Sequence, residues 1–448
     1  MSRSTGLITI TGRGPVGGRL RVPGDKSISH RVAMLASVAA GRSVIEGYAS
    51  SADCLATLDC LERLGVPVER EGGTITITGR GLRGLDPVGR IASLDAKNSG
   101  STIRMLAGLL AGQRFRSVID GDDSLRRRPM RRIIEPLGLM GCPIDAEKGM
   151  FAPLTITGSR LKAVSYESPV ASAQVKSCVL FAGLFAEDPT IFIEPAPSRN
   201  HSELMLNEMS ASITWRGESG KNIVEIAGGG ELKPLNYRVP GDISSAAFFI
   251  AAASMVPDSN LTLTGVGLNP TRTAFIDVLK NLGAEISTEN ERVEHGEAIG
   301  DLLVRHNPLA VEDFSIEIRG ALIPNLIDEL PILAVVATQT EGRFVVRDAR
   351  ELRVKESDRV RTVVEAIRSL GGKIDELEDG FAITGPQRLS GGRVNSRGDH
   401  RIAMAFSIAG LVADGVTEII NADAAAVSFP EFYDLLTRVT PEGTLSEE

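Results

Sequence analysis

The chain has 448 residues, of which 42% are hydrophobic and 24% charged, values usual for a globular protein with room for roughly two or three domains. Its formal net charge of −8 argues against a general nucleic-acid-binding protein, which would be basic. The longest apolar run, Ala246 to Val256, is too short to cross a bilayer, and residues 1–14 lack the apolar core of a signal peptide. The four cysteines have no CxxC spacing and the five histidines form no cluster. We therefore expect a soluble, cytoplasmic protein with reduced thiols and no metal site.

A helix followed by a strand recurs six times along the chain. Apolar runs rich in Ala and Leu predict buried helices, because each run is long enough for several turns and consists of good helix formers. In chain order these runs cover residues 32–40, 102–111, 175–186, 246–256, 330–338 and 402–413. A β-branched run follows each of them and predicts a strand. The predicted strands cover residues 44–46, 118–120, 191–194, 261–264, 344–347 and 418–420.

A second helix follows each predicted strand and ends at a glycine in the clearest repeats, namely at Gly65, Gly283 and Gly371. A hairpin comes next, as in the alternating run 74–79. The repeating pattern is therefore helix, strand, helix and two strands, at intervals of about 70–85 residues, which is too long for a solenoid. Two groups of three repeats, each around its own helical core, fit this pattern better.

The pentapeptide RVPGD occurs twice, at 21–25 before the first repeat and at 238–242 before the fourth. Pro fixes φ and Gly permits a sharp bend, so both copies suit a chain that changes direction. We interpret them as crossings between two lobes. This predicts one lobe from residues 23–239 with repeats one to three, and a second lobe from residues 1–22 and 240–448 with repeats four to six.

Polar side chains precede every buried helix, and some of them are cationic. The free N–H groups at a helix start favour phosphates and carboxylates, although Ser, Asn and Asp there are also common N-caps. Lys or Arg at such a position opposes the helix dipole, as with Lys26, Lys176 and Arg401. Together these starts favour anion binding over capping alone.

Further cations follow the first strand of several repeats. We interpret Arg126, Arg127, Arg131 and Arg132 as a solvated run, and Arg128 before Pro129 as the ordered member. Lys355 and Arg359 would share one face if their segment is helical, and an exposed i,i+4 pair is the alternative. The pattern predicts an anionic substrate between the two lobes without identifying a reaction, since no P-loop or dinucleotide-binding glycine motif is present.

Six motifs resemble the 5-enolpyruvylshikimate-3-phosphate synthase family, in order across almost the whole chain. They are residues 23–31 (PGDKSISHR), 98–104 (NSGSTIR), 124–130 (SLRRRPM), 172–177 (SAQVKS), 353–359 (RVKESDR) and 398–401 (GDHR). The resemblance implies an inside-out α/β barrel of two lobes, each with three βαβαββ units and buried parallel helices. It also implies transfer of the enolpyruvyl group of phosphoenolpyruvate to the 5-hydroxyl of shikimate 3-phosphate, through a tetrahedral intermediate and with release of phosphate. Members need no metal or organic cofactor, and we expect a monomer.

The resemblance also implies a role for particular residues. Those that would hold shikimate 3-phosphate are Lys26, Ser27, Arg31, Ser172, Ala173, Gln174, Arg199, Asp328 and Lys355. Those that would hold phosphoenolpyruvate are Lys26, Asn98, Gly100, Arg128, Gln174, Arg359 and Arg401. Asp328 resembles the general base, and Glu356 the proton donor or relay, with Lys26 assisting.

Three positions depart from the pattern of many relatives: Val427 stands in place of Lys, Arg199 in place of Tyr, and Ala173 in place of Ser. Gly100 leaves space beside the phosphoenolpyruvate position, so we expect inhibition by glyphosate. The alternative activity is that of a UDP-N-acetylglucosamine enolpyruvyl transferase, in which a Cys usually occupies the place of Asp123. An RNA-end-processing enzyme is disfavoured by the net charge, and a non-catalytic anion-binding protein by the retained acidic residues.

Overall fold

A computed structural model of the protein describes residues 6–11, 14–87, 89 and 91–447, apart from the side chains of 311–314 and 447. The described chain divides into two compact units. The N-terminal unit consists of Gly24–Val239 together with the short segment Val293–Glu297. The C-terminal unit consists of the chain up to Pro23, the segment Pro240–Arg292 and the chain from Ala298 onward.

The described residues form an α/β protein whose helices and strands alternate. The helices are α1 (Lys26–Ser37), α2 (Ala52–Arg63), α3 (Gly100–Ala111), α4 (Asp123–Arg126), α5 (Arg131–Leu139), α6 (Ala173–Gly183), α7 (His201–Glu208), α8 (Ile243–Met255), α9 (Ala274–Asn281), α10 (Ile323–Leu326), α11 (Leu330–Gln339), α12 (Arg359–Ser369), α13 (His400–Val412) and α14 (Phe432–Val439). Short 3₁₀ helices are Gly320–Leu322, Arg350–Val354 and Ala422–Val427.

The strands are mostly short. They are β1 (Leu7–Ile10), β2 (Gly17–Leu20), β3 (Ala40–Glu46), β4 (Val68–Glu71), β5 (Thr74–Arg80), β6 (Ile91–Asp95), β7 (Arg116–Asp120), β8 (Ile144–Glu147), β9 (Phe151–Thr157), β10 (Ser165–Glu167), β11 (Thr190–Glu194), β12 (Ser212–Glu218), β13 (Lys221–Ala227), β14 (Asn236–Arg238), β15 (Asn260–Gly267), β16 (Glu285–Glu294), β17 (Glu297–Arg305), β18 (Ala310–Ile318), β19 (Glu341–Val346), β20 (Asp375–Leu377), β21 (Gly380–Gly385), β22 (Arg393–Asn395), β23 (Thr417–Ile420) and β24 (Leu445–Glu447).

These strands form six four-stranded sheets of one common topology. In the sheet β6-β7-β9-β8, β6 runs parallel to β7, and β9 is antiparallel to both β7 and β8. With the helices between them, each repeat reads strand, helix, strand, helix and two strands. The pattern predicted from the sequence lacks the first of these strands. For three of these first strands the reason is length, because β10, β14 and β22 have three residues each, too few for a visible alternation.

The segments next to the two RVPGD copies complete sheets that other parts of the chain begin. The strand β2 pairs in parallel with β15, and β1 pairs with β23 and β24, so the first strands belong to sheets of the C-terminal unit. Likewise β14 pairs in parallel with β3 and completes the first sheet of the N-terminal unit. Gly24 lies just after the first division between units, and a Cβ there would come within 1.9 Å of the carbonyl oxygen of Gly47. Only glycine allows this close approach of two backbones.

The helices predicted to be buried are confirmed. In the N-terminal unit α1 packs on α3 and α3 on α6, and in the C-terminal unit α8, α11 and α13 pack on one another. Every residue of α8 is buried. Five of these six helices begin earlier than predicted, because their first residues are polar and an apolar window misses them; α1 begins at Lys26 rather than at residue 32. The other, α11, begins at Leu330 as predicted. Among the described residues no single helix is long and apolar enough to cross a membrane, although the bent pair Gly320–Leu326 and Leu330–Gln339 meets that test of length and composition.

The tip of the hairpin formed by β16 and β17 belongs to the N-terminal unit, whereas the sequence analysis places all of 240–448 in one lobe. There the His201 Nδ1 lies 2.6 Å from Glu297 Oε1, and both side chains are buried. The ring of His295 stacks on Tyr237 with 4.3 Å between centroids. These contacts join residues far apart in the chain, so no local pattern could indicate them.

Candidate functional site

The buried helices of the N-terminal unit start at capped, polar residues. Asp25 accepts a hydrogen bond from the N–H of Ile28 at 2.9 Å, and Ser99 accepts one from Thr102 at 3.1 Å. Ser172 caps α6 in the same way. The capping interpretation is therefore confirmed at these starts. It does not compete with anion binding, because the cations beside these caps make a separate set of contacts.

Arg31 is one of these cations and is buried, with 2% of its surface exposed. Its Nε donates to Ser202 Oγ at 2.9 Å, and its two terminal nitrogens donate to the carbonyl of Ser27 at 2.8 Å and to Ser177 Oγ at 3.0 Å. Arg199, from the loop before α7, donates to Ser27 Oγ at 3.1 Å. These hydrogen bonds fix the guanidinium groups of both arginines.

Arg128 is buried and Arg126 is exposed, as the sequence predicts. Arg128 donates to Asn98 Oδ1 at 2.6 Å, to the Asn98 carbonyl at 3.2 Å and to Ser124 Oγ at 3.1 Å. Asn98 in turn donates to Asp122 at 2.6 Å. Asn98 therefore serves to orient Arg128 in this structure.

Gln174 is joined to a second buried cation, Arg104. Gln174 Oε1 accepts from Arg104 at 2.8 Å, and Gln174 Nε2 donates to Ser101 Oγ at 3.0 Å. Gly100 lies against both guanidinium groups, since a Cβ there would come within 2.8 Å of an Arg104 nitrogen and 3.5 Å of an Arg128 nitrogen. The motif 98–104 contains Arg104, but the family resemblance implies no role for it.

Lys26 at the start of α1 forms an ion pair with Asp53, and 18% of the lysine side chain remains exposed. Beneath it His30 is fully buried and its Nδ1 lies 2.7 Å from Thr57 Oγ1. Burial lowers the pKa of His30, and the neighbouring charges of Lys26 and Arg31 lower it further. His30 is therefore a neutral packing residue, and the positive charge at this end of α1 comes from Lys26 and Arg31.

In the C-terminal unit, three carboxylates surround one buried arginine. Arg359 donates to Asp399 at 2.9 Å and to Glu356 at 2.6 Å, and lies 3.6 Å from Asp328. Burial alone would lower the pKa of Arg359, but the carboxylates of Asp399, Glu356 and Asp328 outweigh it and raise the pKa. The Arg359 side chain is 1% exposed, whereas those of Asp328 and Glu356 are 17% and 18% exposed. The two carboxylates proposed for proton transfer are thus fixed by an arginine yet reachable from solvent.

A second network supports the residue next to Asp328. Arg272 is buried and donates to Ser244 Oγ at 2.7 Å, and the Ser244 hydroxyl donates to Glu329. Arg401 donates to the carbonyl of Ser244 at 3.4 Å. Glu329 has no site role among the residues predicted from the sequence, and only its position beside Asp328 could have indicated one.

The structure decides two interpretations of cations from the sequence: the helix assumed for Lys355 and Arg359 is not formed, and the interpretation of Lys176 is wrong. Lys355 and Arg359 do not share one helical face, because Lys355 follows the 3₁₀ helix Arg350–Val354 and pairs with Glu351 at 3.4 Å, whereas Arg359 begins α12. Lys176 does not offer its charge at a helix start, because its side chain is fully buried and paired with carboxylates. Val427, in the place of the expected lysine, ends a 3₁₀ helix and is half-buried.

The fold and these residues define an α/β protein of six repeats with sites suited to anions. In the N-terminal unit, the buried Arg31 and Arg104 lie in the first half of α1 and α3, and Arg128 lies between α4 and α5. In the C-terminal unit, partly exposed carboxylates flank a buried arginine. Among the described residues no group of three or more His, Cys, Asp or Glu side chains is placed to hold a metal ion.

Comparison with known proteins identifies the family. The family model described as EPSP synthase (3-phosphoshikimate 1-carboxyvinyltransferase) matches residues 10–436. The 3-phosphoshikimate 1-carboxyvinyltransferase of Brevibacillus brevis is 48% identical over 424 residues, with 94% of this chain and 97% of the relative covered. That of Solibacter usitatus is 49% identical over 423 residues, with the same coverage. An EPSP synthase structure from Acinetobacter baumannii has a TM-score of 0.85 and 40% identity, covering 99% of both chains. The chain belongs to the EPSP synthase family.

Proposed function

We propose that the protein transfers the enolpyruvyl group of phosphoenolpyruvate to the 5-hydroxyl of shikimate 3-phosphate and releases phosphate, a step of the shikimate pathway to aromatic amino acids. The observation that carries this proposal is the pair of partly exposed carboxylates, Asp328 and Glu356, held by the buried Arg359. Family membership supports the same reaction. The UDP-N-acetylglucosamine alternative has no such support.

The N-terminal unit supplies most of the groups proposed for shikimate 3-phosphate. A phosphate with two or more negative charges is bound best by several charged N–H donors, above all those of arginine. Arg31 and Arg199 supply such donors, and their hydrogen bonds to Ser202 and Ser27 hold them in place. The residues assigned to shikimate 3-phosphate are Lys26, Ser27, Arg31, Ser172, Ala173, Gln174 and Arg199, with Asp328 and Lys355 from the C-terminal unit.

The residues assigned to phosphoenolpyruvate are Lys26, Asn98, Gly100, Arg128, Gln174, Arg359 and Arg401. In this set Arg128 and Arg359 are the cations for its phosphate and carboxylate, and Asn98 acts through Arg128. Arg104, bonded to Gln174, joins this set as a further proposed cation. Both assignments include residues of the two units.

The reaction needs a base and an acid. Asp328 takes the proton of the 5-hydroxyl while that oxygen bonds to C2 of phosphoenolpyruvate, and Glu356 gives or relays a proton to C3, with Lys26 assisting. The product of this addition is a tetrahedral intermediate. Loss of a proton from its methyl carbon and cleavage of the bond to the phosphate oxygen then restore the double bond. Arginine and lysine side chains would stabilise the charge that develops on the leaving phosphate.

The finer architecture is part of the same proposal. Each unit has three sheets and a core of helices that pack on one another, which supports an inside-out α/β barrel in two lobes. The chain would pass from one lobe to the other near residues 21–25 and 238–242. We also propose a cytoplasmic monomer that works without a metal or organic cofactor.

Phosphate release distinguishes the proposed activity from its alternative. With phosphoenolpyruvate and shikimate 3-phosphate we expect steady release of inorganic phosphate, and with UDP-N-acetylglucosamine in place of shikimate 3-phosphate we expect only the rate of the blank. The reverse preference would replace the proposed function by the alternative. If no phosphate were released with either acceptor, both the proposed activity and its alternative would be contradicted.

Glyphosate should inhibit the wild type, and Gly100→Ala should weaken that inhibition. The added methyl group would press on the Arg104 and Arg128 nitrogens, 2.8 and 3.5 Å from the new Cβ. One methyl group in a closed pocket changes discrimination by about 10- to 200-fold, which is the expected rise in the inhibition constant. Gly138→Ala is the matched control, because a Cβ at this helical glycine meets nothing within 4 Å. Equal inhibition of the two variants would exclude the steric explanation.

A further inference from the structure

A fully buried ionic cluster lies in the N-terminal unit beneath the segment that carries Arg199. The Lys176 ammonium donates to Glu194 at 2.8 Å and lies 2.7 Å from Glu203. All three side chains are at most 1% exposed. Buried charges of this kind are costly unless they are paired, and replacing them with apolar residues often stabilises a protein. Their presence therefore calls for an explanation other than stability.

The cluster holds every polar atom of Ser198. The Ser198 N–H donates to Glu194 Oε1 at 3.1 Å, and its hydroxyl donates to Glu194 Oε2 at 2.6 Å. The Ser198 carbonyl accepts from Lys176 at 3.1 Å. Asn222 adds a further donor to Glu194 at 2.8 Å. Any other position of Ser198 would therefore break these hydrogen bonds, which is costly for buried polar groups.

Ser198 immediately precedes Arg199 in the irregular segment between β11 and α7. A segment without a helix or strand ladder has no backbone hydrogen bonds of its own to fix it, so its position depends on contacts like these. On its other side Arg199 bonds to Ser27, one of the residues proposed for shikimate 3-phosphate. A long arginine side chain loses much conformational entropy when it is held in one place. If the neighbouring backbone is already fixed, less conformational entropy is lost when the substrate binds.

We propose that Lys176, Glu194 and Ser198 are positioning residues that place Arg199 for the phosphate of shikimate 3-phosphate. This inference rests on the proposed function of Arg199 and adds the reason for a charged cluster at this place. The cluster does not touch the substrate. It acts through the backbone at Ser198, and it affects binding of the sugar phosphate rather than proton transfer.

The test is a double-mutant cycle between Ser198→Ala and Arg199→Ala. In the wild-type background we expect Ser198→Ala to raise the dissociation constant of shikimate 3-phosphate, measured by calorimetry, by about 3- to 30-fold. The KM of phosphoenolpyruvate and kcat should change less than twofold. In the Arg199→Ala background the same substitution should have no further effect, because the residue it positions is already absent.

Ser37→Ala is the matched control, since Ser37 is likewise a buried serine and its substitution also removes one hydroxyl hydrogen bond, to the Met34 carbonyl. It should leave all three constants unchanged. If Ser198→Ala does not fold, Asn222→Ala removes one donor from Glu194, and its smaller effect should likewise vanish without Arg199. Equal effects of the serine substitution with and without Arg199 would overturn the inference. Failure of the wild type to bind shikimate 3-phosphate would instead overturn the proposed function.

Discussion

Replacing Asp328 by Asn is expected to lower kcat by about 10²- to 10⁴-fold, the usual contribution of a positioned general base. Asn has nearly the shape of Asp but cannot accept the proton of the 5-hydroxyl. The KM of each substrate should change much less than kcat. Because Arg359 keeps its ion pairs with Glu356 and Asp399, the variant should fold with nearly unchanged stability. Steady-state phosphate release and a thermal unfolding curve measure the two effects.

Asp277→Asn is the control for Asp328, because Asp277 is an exposed carboxylate of the same unit, on α9. It should have wild-type kcat. Near-normal turnover of Asp328→Asn would show that another group takes the proton. Glu356→Gln then becomes the decisive variant, since the remaining proton-transfer role is assigned to that residue.

Replacing Arg359 by Met is expected to lower the free energy of unfolding by about 3–5 kcal/mol, the usual cost of removing one partner from a buried ion pair. The substitution leaves Asp399 buried without its cation, and it also releases Glu356 and Asp328. Activity should fall below detection even in the folded fraction, because the phosphoenolpyruvate contact and the support of both proposed proton-transfer groups are lost together. Urea unfolding with an activity assay tests both expectations.

Two further variants show whether the buried charge causes the effect of Arg359→Met. Arg361→Met, two residues away on the same helix, removes an arginine whose side chain is 69% exposed, and should change stability by about 0.5 kcal/mol or less. Adding Asp399→Asn to Arg359→Met removes the unpaired buried carboxylate and should restore part of the lost stability. Stability that stays at the wild-type value in Arg359→Met would contradict the central role of this arginine.

Much of the fold follows from local patterns. The continuous apolar run 246–256 predicts α8, which is buried on all sides. The alternation at 74–79 predicts the strand β5, since burial on one face of a strand imposes a period of two on the sequence. Strands β10 and β14 give no such signal. They are three residues long and exist because a neighbouring strand, β11 or β3, offers them a hydrogen-bonding edge. That edge comes from a distant part of the chain.

In the candidate site, too, the sequence indicates some features and the tertiary structure decides others. Motifs mark which residues matter, but they do not say what each side chain contacts. Arg126 and Arg128 lie two residues apart, yet one is exposed and pairs with Asp120 while the other is buried against Asn98. Lys176 lies in a family motif, and only its burial shows that its charge is used inside the protein.

The sequence by itself determined the number of repeats, the buried helices, the family resemblance and the motif residues, because each of these depends on neighbours along the chain. The tertiary structure alone decided which strands complete each sheet, that Arg359 gathers Asp328, Glu356 and Asp399, and that Arg104 joins Gln174. The physical reason is that hydrogen bonds and ion pairs act over a few ångströms in space. Residues 31 positions apart, such as Asp328 and Arg359, interact only after the chain has folded.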